Sequence, residues 1–222
     1  MADVTLTYKG STIAEMNNSG TKTLKTSGKY CEGDIGVSYV KPSSGGSGEL
    51  ALKMITGEGT ITELPSDIIT IRDGAFYDCT NITLTSLPSG ITSIGNNAFY
   101  NCTNLALTSI PSVHSIGEYA FWNCSSLNIN TISASSIGKG AFTYCYGLTE
   151  ITINGKTINS YAFNGCENLT KVTFNNSNVI MSSNAFYNCS NLTNIYVPWA
   201  EGAVFGAPWG ANNATIHYNT TT

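Results

Sequence analysis

The stretch GNNAFYNCTNL, from Gly95 to Leu105, returns along the chain in altered copies, and SNAFYNCSNL from Ser183 to Leu192 is nearly identical to it. The shared phrase is Ala-Phe-x-x-Cys-x-x-Leu, with Ile in place of Leu in the first copy. Its alanines stand 21 to 23 residues apart. A fixed period of this length predicts a solenoid in which each copy forms one rung. The six copies begin at Ala75, Ala98, Ala120, Ala141, Ala162 and Ala185.

The residues after each cysteine predict that the rungs are built from β-strands. In the last three copies apolar and polar residues alternate over 148–153, 169–174 and 192–197, which is the two-residue period of a half-buried strand. In the first three copies the apolar spacing shifts by one residue, so we expect a small change of twist or curvature between the third and fourth rungs. The fold class predicted is therefore mainly β, a short solenoid of six clear repeats with degenerate caps.

The chain divides into three parts by pattern. Residues 1–41 lack the period and read as short strands with turns, which predicts a small β-rich attachment or assembly module. PSSGGSG at 42–48 has the composition of a flexible linker. Residues 49–222 form the solenoid, and 198–222 look like a worn seventh repeat that caps it.

Composition argues against several classes of protein. The net charge is −4 and only 11% of residues are charged, so there is no basic surface for a nucleic-acid partner. No run of 18 apolar residues predicts a membrane span. The opening MADVTLTYKG has no basic segment followed by an apolar one, so we expect no secretory signal and folding in the cytoplasm.

The repeated cysteines have a structural interpretation. Equivalent residues of stacked rungs lie about 5 Å apart and point the same way, which suits a ladder of buried thiols better than disulfides or a metal site. Cys31 stands outside this column, and we expect either a half-buried structural cysteine or a reactive or intermolecular thiol. The predicted thiol ladder consists of Cys79, Cys102, Cys124, Cys145, Cys166 and Cys189.

The sequence predicts no active site, cofactor or metal. The two histidines, His114 and His217, are far apart in sequence and read as ordinary surface or turn residues. The acidic residues never form the facing pair that glycoside hydrolysis requires. The glycines follow turns and match no phosphate-binding pattern.

Two surfaces are candidate binding sites. The residue after each Phe is often aromatic and stands between two inward residues, so these rings form either a binding stripe or a mutual shield over the turns. The outward strand residues form either a hydrogen-bonding face or an ordinary solvated one. The candidate stripe is Tyr77, Tyr100, Trp122, Tyr187 and Trp209, and the candidate sheet face is Glu150, Thr152, Lys171, Thr173, Asn194 and Tyr196.

The stretch LPSGITSIGNNAFYNCTNL, from Leu87 to Leu105, resembles the unit of BspA-like leucine-rich repeats, and the resemblance covers about residues 60–197. It implies a leucine-rich-repeat solenoid that serves as a surface-exposed binding or adhesion module without catalysis. On this interpretation the protein is a bacterial cell-surface adhesin that binds host proteins.

The ends of the chain carry a different resemblance. Residues 5–42 and 195–219 are similar to segments of tail-associated structural proteins from phages and prophages of gut Firmicutes. This implies a virion-associated protein that recognises a bacterial surface glycan or protein through the solenoid and contacts other tail proteins through residues 1–41. We take this as the leading hypothesis, with the cell-surface adhesin as the alternative and a cell-wall hydrolase as a remote one.

Overall fold

The predicted solenoid is confirmed. The computed structural model describes residues 4–8, 11–16, 22–24, 35–40, 49–52, 64, 69–80 and 82–220, and for the strands before residue 53 only their backbone. The described part of the chain contains strands and turns but no helix. Its repeats stack as successive rungs, with parallel strands along two sides.

One side of the solenoid is a nine-stranded sheet. Its six repeat strands run parallel and each ends on a buried Ile or Met that faces the interior. They are β6 (Thr70–Ile71), β7 (Ser93–Ile94), β8 (Val113–Ile116), β10 (Ala134–Ile137), β12 (Thr157–Ile158) and β14 (Ile180–Met181). The sequence analysis did not predict these strands, because two to four residues are too few to show an alternating pattern.

The other side is a five-stranded parallel sheet, which contains the strands that the sequence predicted. It consists of β9 (Thr131–Ile132), β11 (Glu150–Ile153), β13 (Lys171–Phe174), β15 (Asn194–Tyr196) and β16 (Thr215–His217). Regular pairing on this side begins between the third and fourth rungs, where β9 pairs with β11, and the expected change of twist or curvature there stays a prediction. The register aligns Thr152 with Thr173 and Tyr196, so residues of one face form straight rows across the strands.

The front of the chain adds strands at the start of the nine-stranded sheet. β1 (Val4–Tyr8) and β2 (Ser11–Met16) pair antiparallel as a separate two-stranded sheet. β3 (Lys22–Leu24), β4 (Ile35–Val40) and β5 (Glu49–Leu52) pair antiparallel with one another, and β5 pairs parallel with β6. The predicted linker 42–48 and Cys31 lie outside the described residues, and the division into module, linker and solenoid stays a prediction.

A continuous stack of phenylalanine rings fills the interior. Ring centroids of successive rungs lie 5.0 to 5.2 Å apart with nearly parallel planes, and all six rings are fully buried. Each Phe N–H from the first to the fifth rung donates to the carbonyl of the next rung's Ala. The Ala-Phe pair therefore joins the rungs through both backbone and side chain. The rings belong to Phe76, Phe99, Phe121, Phe142, Phe163 and Phe186.

Residues in the left-handed backbone region shape the turn around each Ala-Phe pair. Asn97 and Asn101 flank Ala98-Phe99 with φ of 53° and 58°, and Asn tolerates this region better than most residues. The Asn101 amide also donates to the Asp78 carboxylate, and the Asn123 amide donates to Asn101 Oδ1 at 2.6 Å. The frequent asparagines of the repeat thus have a structural role.

The glycine that follows Ile at the end of several repeat strands permits close stacking of backbones. A Cβ at Gly117 would lie 2.5 Å from the backbone nitrogen of Asn96 and the carbonyl carbon of Gly95, and Gly138 meets Gly117 in the same way. Atoms at such a distance overlap, so any side chain here forces the rungs apart.

We therefore expect Gly117→Ala to lower the free energy of unfolding by about 1–3 kcal/mol. Urea denaturation followed by circular dichroism measures the loss. Ser115→Ala, two residues earlier on the outward face, is the matched control and should change stability by less than about 0.5 kcal/mol. Equal stability of the glycine variant and the control would contradict this account of the stacking.

Candidate functional site

The repeated cysteines lie inside the solenoid as buried thiols. From the second rung to the sixth, each Sγ donates to the carbonyl oxygen of the Phe one rung earlier, at 2.9 to 3.0 Å. Burial raises the pKa of Cys102, Cys124, Cys145 and Cys166 above the ordinary thiol value. A protonated, enclosed thiol that holds a hydrogen bond is a poor nucleophile, so this column links rungs and offers no reactive group.

The first half of the candidate aromatic stripe is a stack of its own rings. The ring centroid of Tyr100 lies 4.7 Å from that of Tyr77 and 4.4 Å from that of Trp122, with planes nearly parallel. Both faces of Tyr100 are therefore covered by neighbours. Tyr144, one residue beyond the stripe position, continues the contact edge-on at 5.7 Å from Trp122. These rings cover the turns of three rungs, and Tyr77 at the end of the stack is half exposed.

The second half of the stripe is interrupted. The fourth and fifth rungs carry Thr143 and Asn164 at the stripe position, and Thr143 is buried with its hydroxyl 3.2 Å from the carbonyl oxygen of Tyr161. In the sixth rung Tyr187 is half exposed and meets the ring of Tyr161 edge-on at 5.9 Å. The structure thus brings together Tyr77, Tyr100 and Trp122 but leaves Tyr187 apart, and a binding role for the stripe stays a prediction.

Trp209 does not belong to a surface stripe, and the prediction that placed it there is wrong. Its indole is fully buried, meets the ring of Trp199 at 6.3 Å and donates from Nε1 to the carbonyl oxygen of Phe205 at 3.0 Å. The cap carries Pro208 where the other repeats have Phe, and Pro208 is only half-buried. Because proline cannot fill the interior as phenylalanine does, the neighbouring indole turns inward and closes the core.

The candidate sheet face forms two parallel rows on the outside of the five-stranded sheet. One row runs through Thr131, Thr152, Thr173, Tyr196 and His217, and the other through Glu150, Lys171, Asn194 and Thr215. The buried residues between them, such as Ile151, Val172 and Ile195, hold the strands to the core. The rows are therefore fixed by backbone pairing and by core packing.

Charged and aromatic side chains gather at the end of these rows. Lys171 Nζ lies 3.0 Å from Glu150 Oε2 and 6.0 Å from the centroid of the Tyr196 ring, above its face. The ring of His217 stacks on Tyr196 with centroids 4.3 Å apart. We call Glu150, Lys171, Asn194, Tyr196 and His217 the sheet-face cluster.

A hydrogen bond fixes the imidazole within the sheet-face cluster. His217 Nε2 lies 2.9 Å from Asn194 Oδ1, and the amide nitrogen of Asn194 donates to Thr193 Oγ1 at 3.0 Å. Since the amide nitrogen is used in that second bond, its oxygen accepts, and Nε2 of His217 carries the donated proton. The His217 imidazole therefore has one defined orientation.

His217 is the member of the cluster that sequence reasoning missed. The signal was present, because Thr215-Ile216-His217 repeats the polar-apolar-polar order of Asn194-Ile195-Tyr196, and the register pairs these residues one to one. His114, the other histidine, is exposed on β8 in the nine-stranded sheet.

The described acidic residues do not converge. Asp73 accepts from Asn96, Asp78 accepts from Asn101 and Glu150 pairs with Lys171, so each of these three carboxylates engages a neighbouring rung. Among the described residues no group of three or more His, Cys, Asp or Glu could hold a metal ion. The same residues include no helix long and apolar enough to cross a membrane.

The parallel strands, the inward Phe-Cys-Leu column and the short turns define a leucine-rich-repeat solenoid. The family model of the BspA type leucine rich repeat region matches six copies over residues 59–157 and 135–201. The chain therefore belongs to the BspA-type leucine-rich repeat family. No curated protein sequence is significantly similar to it.

Two solved structures support the assignment. A leucine-rich repeat protein of T. pallidum is 27% identical with a TM-score of 0.57, over 72% of this chain and 80% of that one. A leucine-rich cell surface protein of Faecalibacterium prausnitzii is 26% identical with a TM-score of 0.52, over 72% of this chain and 52% of that one. Leucine-rich repeat proteins of this kind are generally non-enzymatic binding proteins.

Proposed function

We propose that this chain is a bacterial cell-surface binding protein that recognises a protein partner through the sheet-face cluster. The family supports a binding role, and a structurally similar chain from F. prausnitzii is a cell surface protein. The observation that carries the proposal is the Tyr196 ring, held between the Lys171 ammonium and the His217 imidazole on a rigid sheet. A pre-ordered aromatic loses little side-chain freedom when it binds.

The same geometry favours a protein over a glycan. A sugar ring stacks on an open aromatic face, but His217 covers one face of Tyr196 and Lys171 lies over its ring. What remains accessible are ring edges, hydroxyls and charges of both signs. The Lys171–Glu150 pair is exposed, so it contributes little to stability and can exchange partners. Tyrosine is enriched in protein interfaces and among the residues that contribute most of their binding energy.

The test measures binding of the labelled full chain to bacterial and epithelial cells, before and after the cells are treated with protease or periodate. We expect protease to remove the binding sites and periodate, which destroys glycans, to leave them. Tyr196→Ala and His217→Ala should each weaken binding at least tenfold. His114→Ala removes an exposed histidine from the other sheet and is the matched control.

Two results would contradict the proposal. Binding that survives protease but not periodate would identify a glycan partner. Full binding by the Tyr196→Ala and His217→Ala variants would place recognition elsewhere on the solenoid.

A virion-associated protein that binds a bacterial surface is the second candidate. It rests on the resemblance of residues 5–42 and 195–219 to phage tail proteins, whereas the comparisons support the cell-surface location. The two candidate functions predict different locations for the protein. Antibody labelling of intact cells that carry the gene supports the first, and recovery in purified phage particles supports the second.

A further inference from the structure

A second candidate site lies on the nine-stranded sheet, on the side opposite the rows of the sheet-face cluster in the fold's topology. A cavity of about 580 Å³ runs across β6, β7 and β8. Its floor carries the outward hydroxyls of Thr70, Ser93 and Ser115, which the strand register places side by side. A cavity of this size is typical of small-ligand sites, although its lining is more polar than usual.

Closely packed backbone forms part of the cavity wall. Gly95 and Gly117 line the cavity one residue beyond the buried Ile94 and Ile116, and a Cβ at either would lie 2.4 to 2.7 Å from atoms of the preceding rung. Close stacking of the rungs requires glycine there. The trough above these backbones is thus a consequence of how the solenoid packs, and the residues on its rim decide what it accepts.

Three rungs carry a residue other than glycine at this position. Register places Arg72 of the first rung where the next three rungs carry Gly95, Gly117 and Gly138 and the last two carry Asn159 and Ser182. Of the three departures only Arg72 is charged, and it is the single arginine of the chain. Arginine presents a planar set of donors that bind a carboxylate in two places at once.

The Arg72 guanidinium is exposed and remains available. Within the described part of the chain it forms no ion pair. The adjacent carboxylate of Asp73 is used by the second rung, since its oxygens accept from the backbone nitrogen of Asn96 at 2.7 Å and from the Asn96 amide at 3.4 Å. The cavity therefore offers one uncommitted cation beside a row of hydroxyls.

We infer that this cavity binds an acidic saccharide, a sugar whose carboxylate pairs with Arg72 and whose hydroxyls bond to Thr70, Ser93 and Ser115. Hydroxyl groups donate and accept, as sugar hydroxyls do, so a row of three matches a polyhydroxylated ligand. The lining has no aromatic ring, and it combines hydroxyls, amide groups and one guanidinium with apolar atoms of the strands. The site is separate from the protein-binding face and does not depend on it.

The experiment titrates the full chain with 3′-sialyllactose and with a hyaluronan tetrasaccharide by calorimetry or ligand-observed NMR. Lactose and chitotetraose are the neutral controls. We expect at least one acidic sugar to bind tenfold or more tightly than its control. Arg72→Lys, which keeps the charge but loses the planar donor set, should weaken binding at least fivefold, and Arg72→Ala should remove the preference for the acidic sugar.

Two control variants test whether saccharide binding depends on this cavity and not on other parts of the solenoid. Lys139→Ala removes an exposed cation from the fourth rung and should leave saccharide binding unchanged. His217→Ala should also leave saccharide binding unchanged. A failure of the saccharide inference is therefore distinguishable from a failure of the protein-binding proposal. Equal binding of acidic and neutral sugars, or of neither, would overturn the inference. So would Arg72-dependent binding of tetra-alanine with a free C-terminal carboxylate when no sugar binds, because the ligand would then be a peptide.

Discussion

Replacing Phe121 by alanine is expected to lower the free energy of unfolding by about 3–5 kcal/mol. The Phe121 ring is fully buried, and its centroid lies 5.2 Å from those of Phe99 and Phe142. Its removal leaves a cavity between two rungs that each depend on the neighbour for their core, because a repeat array is stabilised mainly by contacts between adjacent units. Urea denaturation monitored by circular dichroism measures the change.

Trp122→Ala is the matched control for this prediction. Trp122 is adjacent in sequence and as bulky, but it stacks on Tyr100 at the surface of the turn and is only half-buried. We expect Trp122→Ala to lower the free energy of unfolding by less than half as much as Phe121→Ala does. Equal losses of stability would contradict this distinction. They would mean that the surface stack of Tyr77, Tyr100 and Trp122 stabilises the rungs as much as the buried stack of phenylalanines.

Raising the pH above about 9 is expected to destabilise the protein steeply. Burial raises the pKa of Cys102, Cys124, Cys145 and Cys166, whereas the same thiols ionise near 8.5 in the unfolded chain. Above that pH the unfolded state releases protons that the folded state retains, so the equilibrium shifts toward unfolding. The stabilisation is complete below about pH 8.5. Four such groups produce a slope of about 5 kcal/mol per pH unit.

The measurement is the free energy of unfolding between pH 7 and 10.5 in the presence of a reductant. Other groups also titrate in this range, so the Cys124→Ala variant isolates the thiol contribution. Its slope above pH 9 should be smaller by about 1.4 kcal/mol per pH unit, the share of one proton. An unchanged slope would show that Cys124 ionises as readily in the folded protein as in the unfolded chain.

Most of the rung structure follows from the repeated phrase. Phe and Cys recur at one position in every copy, and a side chain that recurs in a stacked array must occupy the same environment each time. The inward strands after Leu148 and Leu169 were predicted for the same reason and appear as β11 and β13. The Ile-Gly segments became strands without being predicted, because a two-residue strand is created by pairing with its neighbours and has no pattern of its own.

At the C-terminal cap, the repeat period no longer predicts which side chains are buried. Counting along the repeat placed Trp209 on the surface, but its environment depends on what fills the interior at that rung. With Pro208 in place of Phe, the space is open and the larger apolar ring enters it. A substitution at one position of the repeat thus changes the exposure of the following residue. An alignment of the repeat sequences alone does not show this change.

By itself, the sequence determined the number of rungs, the inward column of Ala, Phe, Cys and Leu, and the membership of a repeat family, because these depend on periodicity alone. Only the tertiary structure decided which outward residues meet. Tyr196 and His217 are 21 residues apart in the chain and stack on one another across neighbouring strands, and Arg72 lines a cavity together with Ser93 and Ser115 of the next two rungs. Strand register sets such neighbours, and register results from the packing of all rungs together.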